Sequence, residues 1–378
     1  MSDRALTREH STAPVSESNG QRQADLDEDM PAARLSRRHW LLFGLFVISA
    51  LAFLYFVLPQ LAGLDQTWDR IKEGDPYWLG AAVLLEMCAW LGYVLLFRTV
   101  FVRGESKVDW KASFEITMAA LAATRLFNAA GAGGIALTAW ALRRSGMERR
   151  IVACRMVAFL CLLYVVYMLA LIVFGLGLHW GIFSGSDPFA LTVVPAILAG
   201  VAIAIFLAIS LVPSDIERMV ARWGGGHRRM RLVRIARRLA TAPASVATGV
   251  RTAIMLVRER RAGVLGAVLW WGFDICVLWA CFHAFGDDPP YFAVIVMAYF
   301  VGMLGNLLPL PGGIGGVDGG MIGTFIAFDV PGNYALVAVL SYRAFAFWLP
   351  TIPGGLAYLA LRRTVARWKQ ERAEPVVL

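Results

Sequence analysis

Apolar residues along this chain collect in blocks of about twenty, separated by short charged segments, the spacing that a bilayer core about 30 Å thick imposes on helices. Trp40–Leu58 carries no charge and follows Arg34, Arg37 and Arg38, so it is expected to cross with its N-terminus in the cytoplasm. The acidic loop 65–75 suits the outside, and Tyr77–Phe97 returns to Arg98, Arg103, Lys107 and Lys111. The next block, Ala112–Leu142, is broken at Asn128-Ala-Ala-Gly131-Ala-Gly133-Gly134 and is followed by Arg143, Arg144, Arg149 and Arg150. Both of its ends carry cytoplasmic charge. Two arms of roughly a dozen residues, at 1.5 Å per residue, reach only the midplane, which predicts a re-entrant hairpin.

Ile151–Leu178 then leaves for a loop, His179–Pro188, without Lys or Arg, and Ala190–Val212 returns to a long loop, 213–261. That loop holds 12 Arg against Asp215, Glu217 and Glu259, the strongest cytoplasmic marker in the chain. Ala262–Phe285 exits, and a second broken block, Tyr291–Phe328, is interrupted at Asn306-Leu-Leu-Pro309-Leu-Pro311-Gly312-Gly313. No Lys or Arg lies between Arg261 and Arg343, so both ends of this second hairpin belong outside. Tyr334–Leu361 comes back to Arg362, Arg363, Arg367 and Lys369, which puts both termini in the cytoplasm.

The expected fold is therefore all-α: a polytopic membrane helix bundle of about six full spans and two re-entrant hairpins. Its halves, 40–178 and 190–361, share the order span, span, broken hairpin, span with opposite starting sides, an inverted-topology repeat. Asn128 and Asn306 each precede a Gly-Gly, Glu86 and Asp274 each sit in a second span, and Arg155-Met-Val-Ala-Phe159 parallels Arg343-Ala-Phe-Ala-Phe347. Polar tails of 1–39 and 362–378 flank the bundle, the first with the composition of a disordered segment.

Composition agrees. Of 378 residues, 58% are hydrophobic and 17% charged, with mean hydropathy +0.61, more apolar surface than a soluble domain buries. The net charge of +9 falls mostly in cytoplasmic segments, so it reports orientation and attraction to anionic headgroups and gives no reason to expect nucleic acid. Cys88, Cys154, Cys161, Cys276 and Cys281 lie in apolar stretches and read as small buried hydrophobes. The five His are scattered, so neither a metal nor a cofactor is expected.

Ionisable groups at membrane depth are expensive and default to functional candidates, with packing-paired ions as the alternative. Arg343 lies about ten residues inside the last span, and its bidentate fork suits phosphate. Arg125 is near a hairpin tip, whereas Arg155 is only five residues from a basic loop and can snorkel to the interface. Glu86, Asp274 and Asp318 can balance these arginines, meet a cationic headgroup or relay protons; simple pairing is the alternative for all three. The run from Pro309 to Gly320, with Gly312, Gly313, Gly315 and Gly316, reads equally as a helix N-terminus offering N–H groups to an anion or as a tight packing turn. Arg222–Arg238 suits a basic amphipathic helix on the inner leaflet, or serves topology alone.

Asn306-Leu-Leu-Pro-Leu-Pro-Gly-Gly-Ile-Gly with Asp318, then Arg343-Ala-Phe-Ala-Phe-Trp348-Leu-Pro350 with Gly354, resembles the lysylphosphatidylglycerol synthase transmembrane (flippase-like) family over roughly Trp40–Leu361. Asn128–Gly146 resembles that family's first-half motif in degraded form: Ala129-Ala130-Gly131 and Gly134-Ile135 stand where Pro and Gly-Glu are usual, Asp318 where Glu is usual, and Cys154 where Glu is common. The resemblance implies a bundle in a bacterial-type plasma membrane that moves a phospholipid with an anionic or aminoacylated headgroup. Seventeen residues follow Leu361, so the aminoacyl-transferring domain, and with it the synthase reaction, is not expected. The alternatives are a membrane enzyme acting on a lipid-linked substrate and a non-transporting partner of a soluble lipid-modifying enzyme that docks on the Arg-rich loop.

Overall fold

The computed structural model describes residues 73–102, 107–126, 132–211, 246–286, 288–307, 313 and 315–373. The expected first span Trp40–Leu58, the tail 1–39, Asn128, Gly131, Pro309, Pro311, Gly312 and the loop residues 213–245 lie outside them. Among the described residues every regular element is helical.

α1 (Pro76–Phe101) opens on Asp75, whose Oδ1 accepts from the Tyr77 N–H at 2.8 Å, with Pro76 pre-set for the first turn. α2 (Trp110–Leu126) and α3 (Ala132–Arg144) are the arms of the first hairpin. The incoming arm has 17 residues, longer than the dozen expected. α4 (Arg149–His179) and α5 (Phe189–Ser210) match the expected spans to within two residues at each end. α6 covers 246–258. A 3-10 turn, Ala262–Leu265, leads into α7 (Gly266–Phe285). α8 (Phe292–Met303) and α9 (Gly316–Ala327) are the arms of the second hairpin. α10 (Gly332–Arg343) passes through a π-turn, Ala344–Trp348, into α11 (Leu349–Ala373).

Five of these helices or joined runs are long and apolar enough to cross a membrane: Pro76–Phe101, Arg149–His179, Phe189–Ser210, Ala262–Phe285 and Gly332–Glu371. α5 turns Ile197, Leu198, Val201, Ile205 and Leu207 outward, a surface that only lipid covers at no cost. Polytopic bundle is therefore the right class.

α1 and α7 form the most extensive pair. They cross where Gly92 meets Gly266: a Cβ at Gly92 would stand 2.7 Å from Leu269 Cβ and 2.9 Å from Trp270 N. Around this pair α4 packs on α5 and on α8, and α2 on α11. The helix ends fall into two groups. Asp75 N–H donates to Ala284 O at 2.9 Å, and Tyr334 hydroxyl to Phe282 O at 2.6 Å, at the end expected to be outer. Lys107 Nζ reaches Glu371 at 3.2 Å, and Arg251 Nε donates to Ser210 O at 2.9 Å, at the opposite end.

Three local expectations change. Residues 246–258, read as loop, form a helix that buries Ala247, Val250, Ala253 and Leu256 and brings Gly249 against Val157. The helix of the last span continues beyond Leu361 to Ala373, with Thr364, Val365 and Trp368 buried. Of the cysteines only Cys281 is buried; Cys88 is exposed on α1 and the other three are intermediate, because a helix in lipid has no need to turn small apolar groups inward.

Candidate functional site: a charged cavity inside the helix bundle

Arg125, in the last turn of the first hairpin's incoming arm, and Asn306, just beyond the second's, face one space. A cavity of about 210 Å³ opens there, lined by Thr124 and Arg125 of α2, Asp274 of α7, Asn306 beyond α8, and Tyr342 and Arg343 of α10, with an aromatic wall of Tyr93, Tyr164, Trp270, Trp271 and Phe347. Glu86, directly behind Arg125, is the eleventh residue of α1, and Asp274 is the ninth of α7, so the charges lie near mid-helix.

Each polar group has a distinct setting. Glu86 is 1% exposed; its Oε1 accepts from Trp90 Nε1 at 2.8 Å and lies 4.0 Å from Arg125 Nη2. Asp274 Oδ2 accepts from the hydroxyls of Tyr299 and Tyr342, the latter at 3.1 Å. The carboxyls of Glu86 and Asp274 are within hydrogen-bonding reach of one another. Arg343 Nε meets Asp318 Oδ1 at 2.6 Å while its guanidinium lies 5.1 Å from the Phe347 ring centre. Arg125 Nη1 is buried with no hydrogen-bond partner among the described residues.

The second hairpin is built on close backbone contact. Gly320 lies against Gly302, where a Cβ would come 3.2 Å from the Gly302 Cα, and Gly305 lies against Gly316. Gly319 and Gly323 of the same helix meet nothing among the described residues, so the seam runs along the face of Gly316 and Gly320. Gly315, at φ +81°, starts α9 in the left-handed region, and its N–H donates to Asp318 Oδ2 at 3.0 Å. The acid thus caps its own helix with one oxygen and holds Arg343 with the other.

Of the residues singled out from sequence, Arg125, Asp274, Asn306 and Arg343 line the cavity, and Glu86 and Asp318 touch its walls. Gly313, Gly315 and Gly316 shape the neighbouring turn, Gly313 at φ +65°. Arg155 goes elsewhere: its Nη1 donates to Phe101 O at 2.7 Å, tying α4 to the end of α1. The sequence reading missed Tyr299 and Tyr342, which hold Asp274, and the aromatic wall. Their signal is in the sequence: Tyr93, Tyr164, Tyr299 and Tyr342 sit inside apolar blocks, where a phenol needs a partner.

A membrane-embedded helical bundle with a charged internal cavity is the class that the fold and geometry define. Residues 41–354 match the family described as the lysylphosphatidylglycerol synthase TM region, and the chain belongs to that family. Among curated proteins it is similar to a UPF0104 membrane protein of Methanothermobacter thermautotrophicus, 34% identical over 105 residues, a match covering 27% of this chain and 30% of the relative's length. A longer match to a UPF0104 membrane protein of the same organism is 23% identical over 321 residues, 82% of this chain and 92% of that relative. A UPF0104 membrane protein of Methanocaldococcus jannaschii is 32% identical over 104 residues, 27% of this chain and 31% of that relative.

Proposed function

We propose that the chain is a lipid translocase of a bacterial-type plasma membrane, passing the charged headgroup of a phospholipid through the cavity lined by Arg125, Asn306 and Arg343. The observation that carries this reading is Arg125: a guanidinium in the last turn of α2, facing a cavity, with one nitrogen lacking a partner among the described residues. A fork-shaped cation in that state is matched by a phosphate oxygen. The volume of about 210 Å³ is below the roughly 300–1,000 Å³ of sites that enclose drug-sized ligands, so it suits a headgroup whose acyl chains remain in the bilayer. Entry of the hairpins from opposite ends, as their flanking charges predict, and the central position of the α1–α7 pair support an inverted repeat with alternating access about that pair. Both termini would be cytoplasmic.

The test is a headgroup-accessibility assay in proteoliposomes holding fluorescent phosphatidylglycerol or lysyl-phosphatidylglycerol. Wild type should expose inner-leaflet probe to an external quencher, and the Arg125→Ala protein should do so far more slowly. Failure of wild type to move either lipid would sink the proposal.

The proximity of Glu86 and Asp274 favours a second reading, an acid pair acting on a lipid-linked substrate. Glu86 is 1% exposed and absent from the cavity lining, its Oε1 serves Trp90 and Asp274 Oδ2 serves two tyrosines, which is why translocation is preferred; product formation by purified protein would reverse that order. A soluble lipid-modifying enzyme docked on 213–261 is compatible with either.

A further inference from the structure

The carboxyl pair at the centre of the molecule has a hydrogen-bonding problem that the lipid reading does not use. Glu86 Oε2 is buried and has no partner among the described residues, yet it belongs to a carboxyl within hydrogen-bonding reach of Asp274. The donors that bond the pair serve its other oxygens, Trp90 Nε1 to Glu86 Oε1 and the Tyr299 and Tyr342 hydroxyls to Asp274 Oδ2, and Arg125 stands off from Glu86 at 4.0 Å. An acceptor facing an acceptor in a dry site is satisfied when one of them carries a hydrogen.

Charge counting points the same way. The cations at the cavity are Arg125 of α2 and Arg343 of α10; the acids are Glu86 of α1, Asp274 of α7 and Asp318 of α9. The other titratable groups facing the pair are the phenols of Tyr299 on α8 and Tyr342 on α10, with Tyr93 and Tyr164 on the cavity wall. One proton on the pair makes the cluster neutral. Arrival of a phosphodiester, with one negative charge, leaves an uncompensated charge at low dielectric, and a second proton on the pair removes it.

We propose that Glu86 and Asp274 form a proton-binding site that takes up one proton for each anionic headgroup bound at Arg125. The proton comes from water on the side where the headgroup enters, forms an O–H bond on the carboxyl that was ionised, and leaves to water on the other side when the headgroup departs. This rests on the lipid reading for its ligand. It makes the cycle a proton–anion symport, in which headgroup affinity falls tenfold per unit rise in pH while one proton is linked to binding.

The experiment is calorimetric titration of the full-length protein in detergent with dihexanoyl-phosphatidylglycerol, in two buffers of different ionisation enthalpy at one pH. Wild type should bind with uptake of about one proton. Glu86→Gln and Asp274→Asn, each checked for a monodisperse profile, should lose that uptake even where binding weakens; retention of the full proton count by both would overturn the assignment. A second arm loads fluorescent phosphatidylglycerol into proteoliposomes under a gradient of one pH unit. Coupling at one proton per lipid drives the leaflets toward a tenfold asymmetry, since one unit is 1.36 kcal/mol. Binding without proton uptake, or movement that stops at equal leaflets, defeats the proton site and leaves translocation standing. A wild type that neither binds nor moves the anionic lipid defeats the lipid reading, and the symport with it.

Discussion

The two hairpins reach one cavity and arm it differently. The first brings Arg125 at the end of a 17-residue arm, 4.0 Å from its nearest acid and with one guanidinium nitrogen unpartnered among the described residues. The second brings Asp318, in the first turn of α9, locked to Arg343 at 2.6 Å and to the Gly315 N–H at 3.0 Å. A cation in a finished ion pair must surrender a partner before it binds a ligand, whereas a loosely paired one gains by binding. On the translocase proposal that difference gives Arg125 the ligand and leaves the Arg343–Asp318 pair to hold the second hairpin against the last span. The motif match that set Arg155 beside Arg343 does not extend to their roles, since Arg155 bonds the Phe101 carbonyl.

The sharpest way to break this comparison is to remove each cation alone. Loss of a charged hydrogen bond is worth about 1.5–3 kcal/mol, so Arg125→Ala should slow headgroup movement by about 10–100-fold with unchanged thermal stability in detergent. Arg125→Lys should recover part of the rate, because a point charge replaces a fork. Equal slowing by Arg343→Ala, with stability intact, would erase the distinction between the hairpins.

Arg343→Ala should instead show first in stability. It strands Asp318, whose side chain is 15% exposed, and breaking one side of a buried pair costs about 3–5 kcal/mol. Asp318→Asn alone should cost less, since the amide still accepts from Gly315 and leaves Arg343 its Phe347 contact. In a double-mutant cycle Arg343→Ala/Asp318→Ala should be more stable than Arg343→Ala, read as the temperature of aggregation in detergent. Additive losses would mean that the pair is incidental.

The seams within the hairpins come next. Gly302 of the second hairpin would set a Cβ 2.7 Å from Met321 N, and Gly134 of the first would set one 2.6 Å from Ala120 O. Both neighbours are backbone and cannot yield, so Gly302→Ala and Gly134→Ala should each destabilise by about 1–3 kcal/mol. Gly319→Ala, with open space at that position, should be neutral or slightly stabilising as a better helix former.

What the sequence made legible follows from which forces act locally. Ala262–Phe285 was readable to the residue because Arg261 and Gly286 bracket a stretch whose one acid, Asp274, is outweighed by its apolar residues, and hydropathy decides such a span without help from its neighbours. The broken hairpins were readable because each has both flanks of one charge character. α6 was not, since twelve Arg dominate the composition of 213–261 and hide the buried series Ala247, Val250, Ala253, Leu256. The far end of α11 was obscured in the same way by Arg362, Arg363 and Arg367, around Val365 and Trp368. At the cavity, the charges announced themselves by their cost in lipid, but their partners are tertiary: nothing local joins Tyr342 to Asp274, 68 residues away, or Arg155 to Phe101.

The smallest expected effect concerns how the hairpins are anchored at their feet. Thr364 of α11 donates to Glu115 Oε2 of α2 at 2.7 Å, with Thr364 5% and Glu115 4% exposed, and Arg367 Nη2 lies 3.2 Å from the Thr364 hydroxyl. That bond ties the first hairpin to the last helix across 249 residues. In the second hairpin the buried hydroxyl of Thr324 bonds inside its own helix, to Gly320 O at 2.7 Å. Thr364→Val keeps the shape and strands a buried acceptor and a guanidinium nitrogen, so it should cost about 1–2 kcal/mol. Thr324→Val removes only a bond back to the preceding turn, whose carbonyl still has its helical partner, and should cost a few tenths of a kcal/mol. Thermal denaturation of the two proteins in one detergent should rank Thr364→Val below Thr324→Val. The reverse order would mean that the first hairpin is held by apolar packing against α11 and that the polar link between its foot and the C-terminal helix contributes nothing.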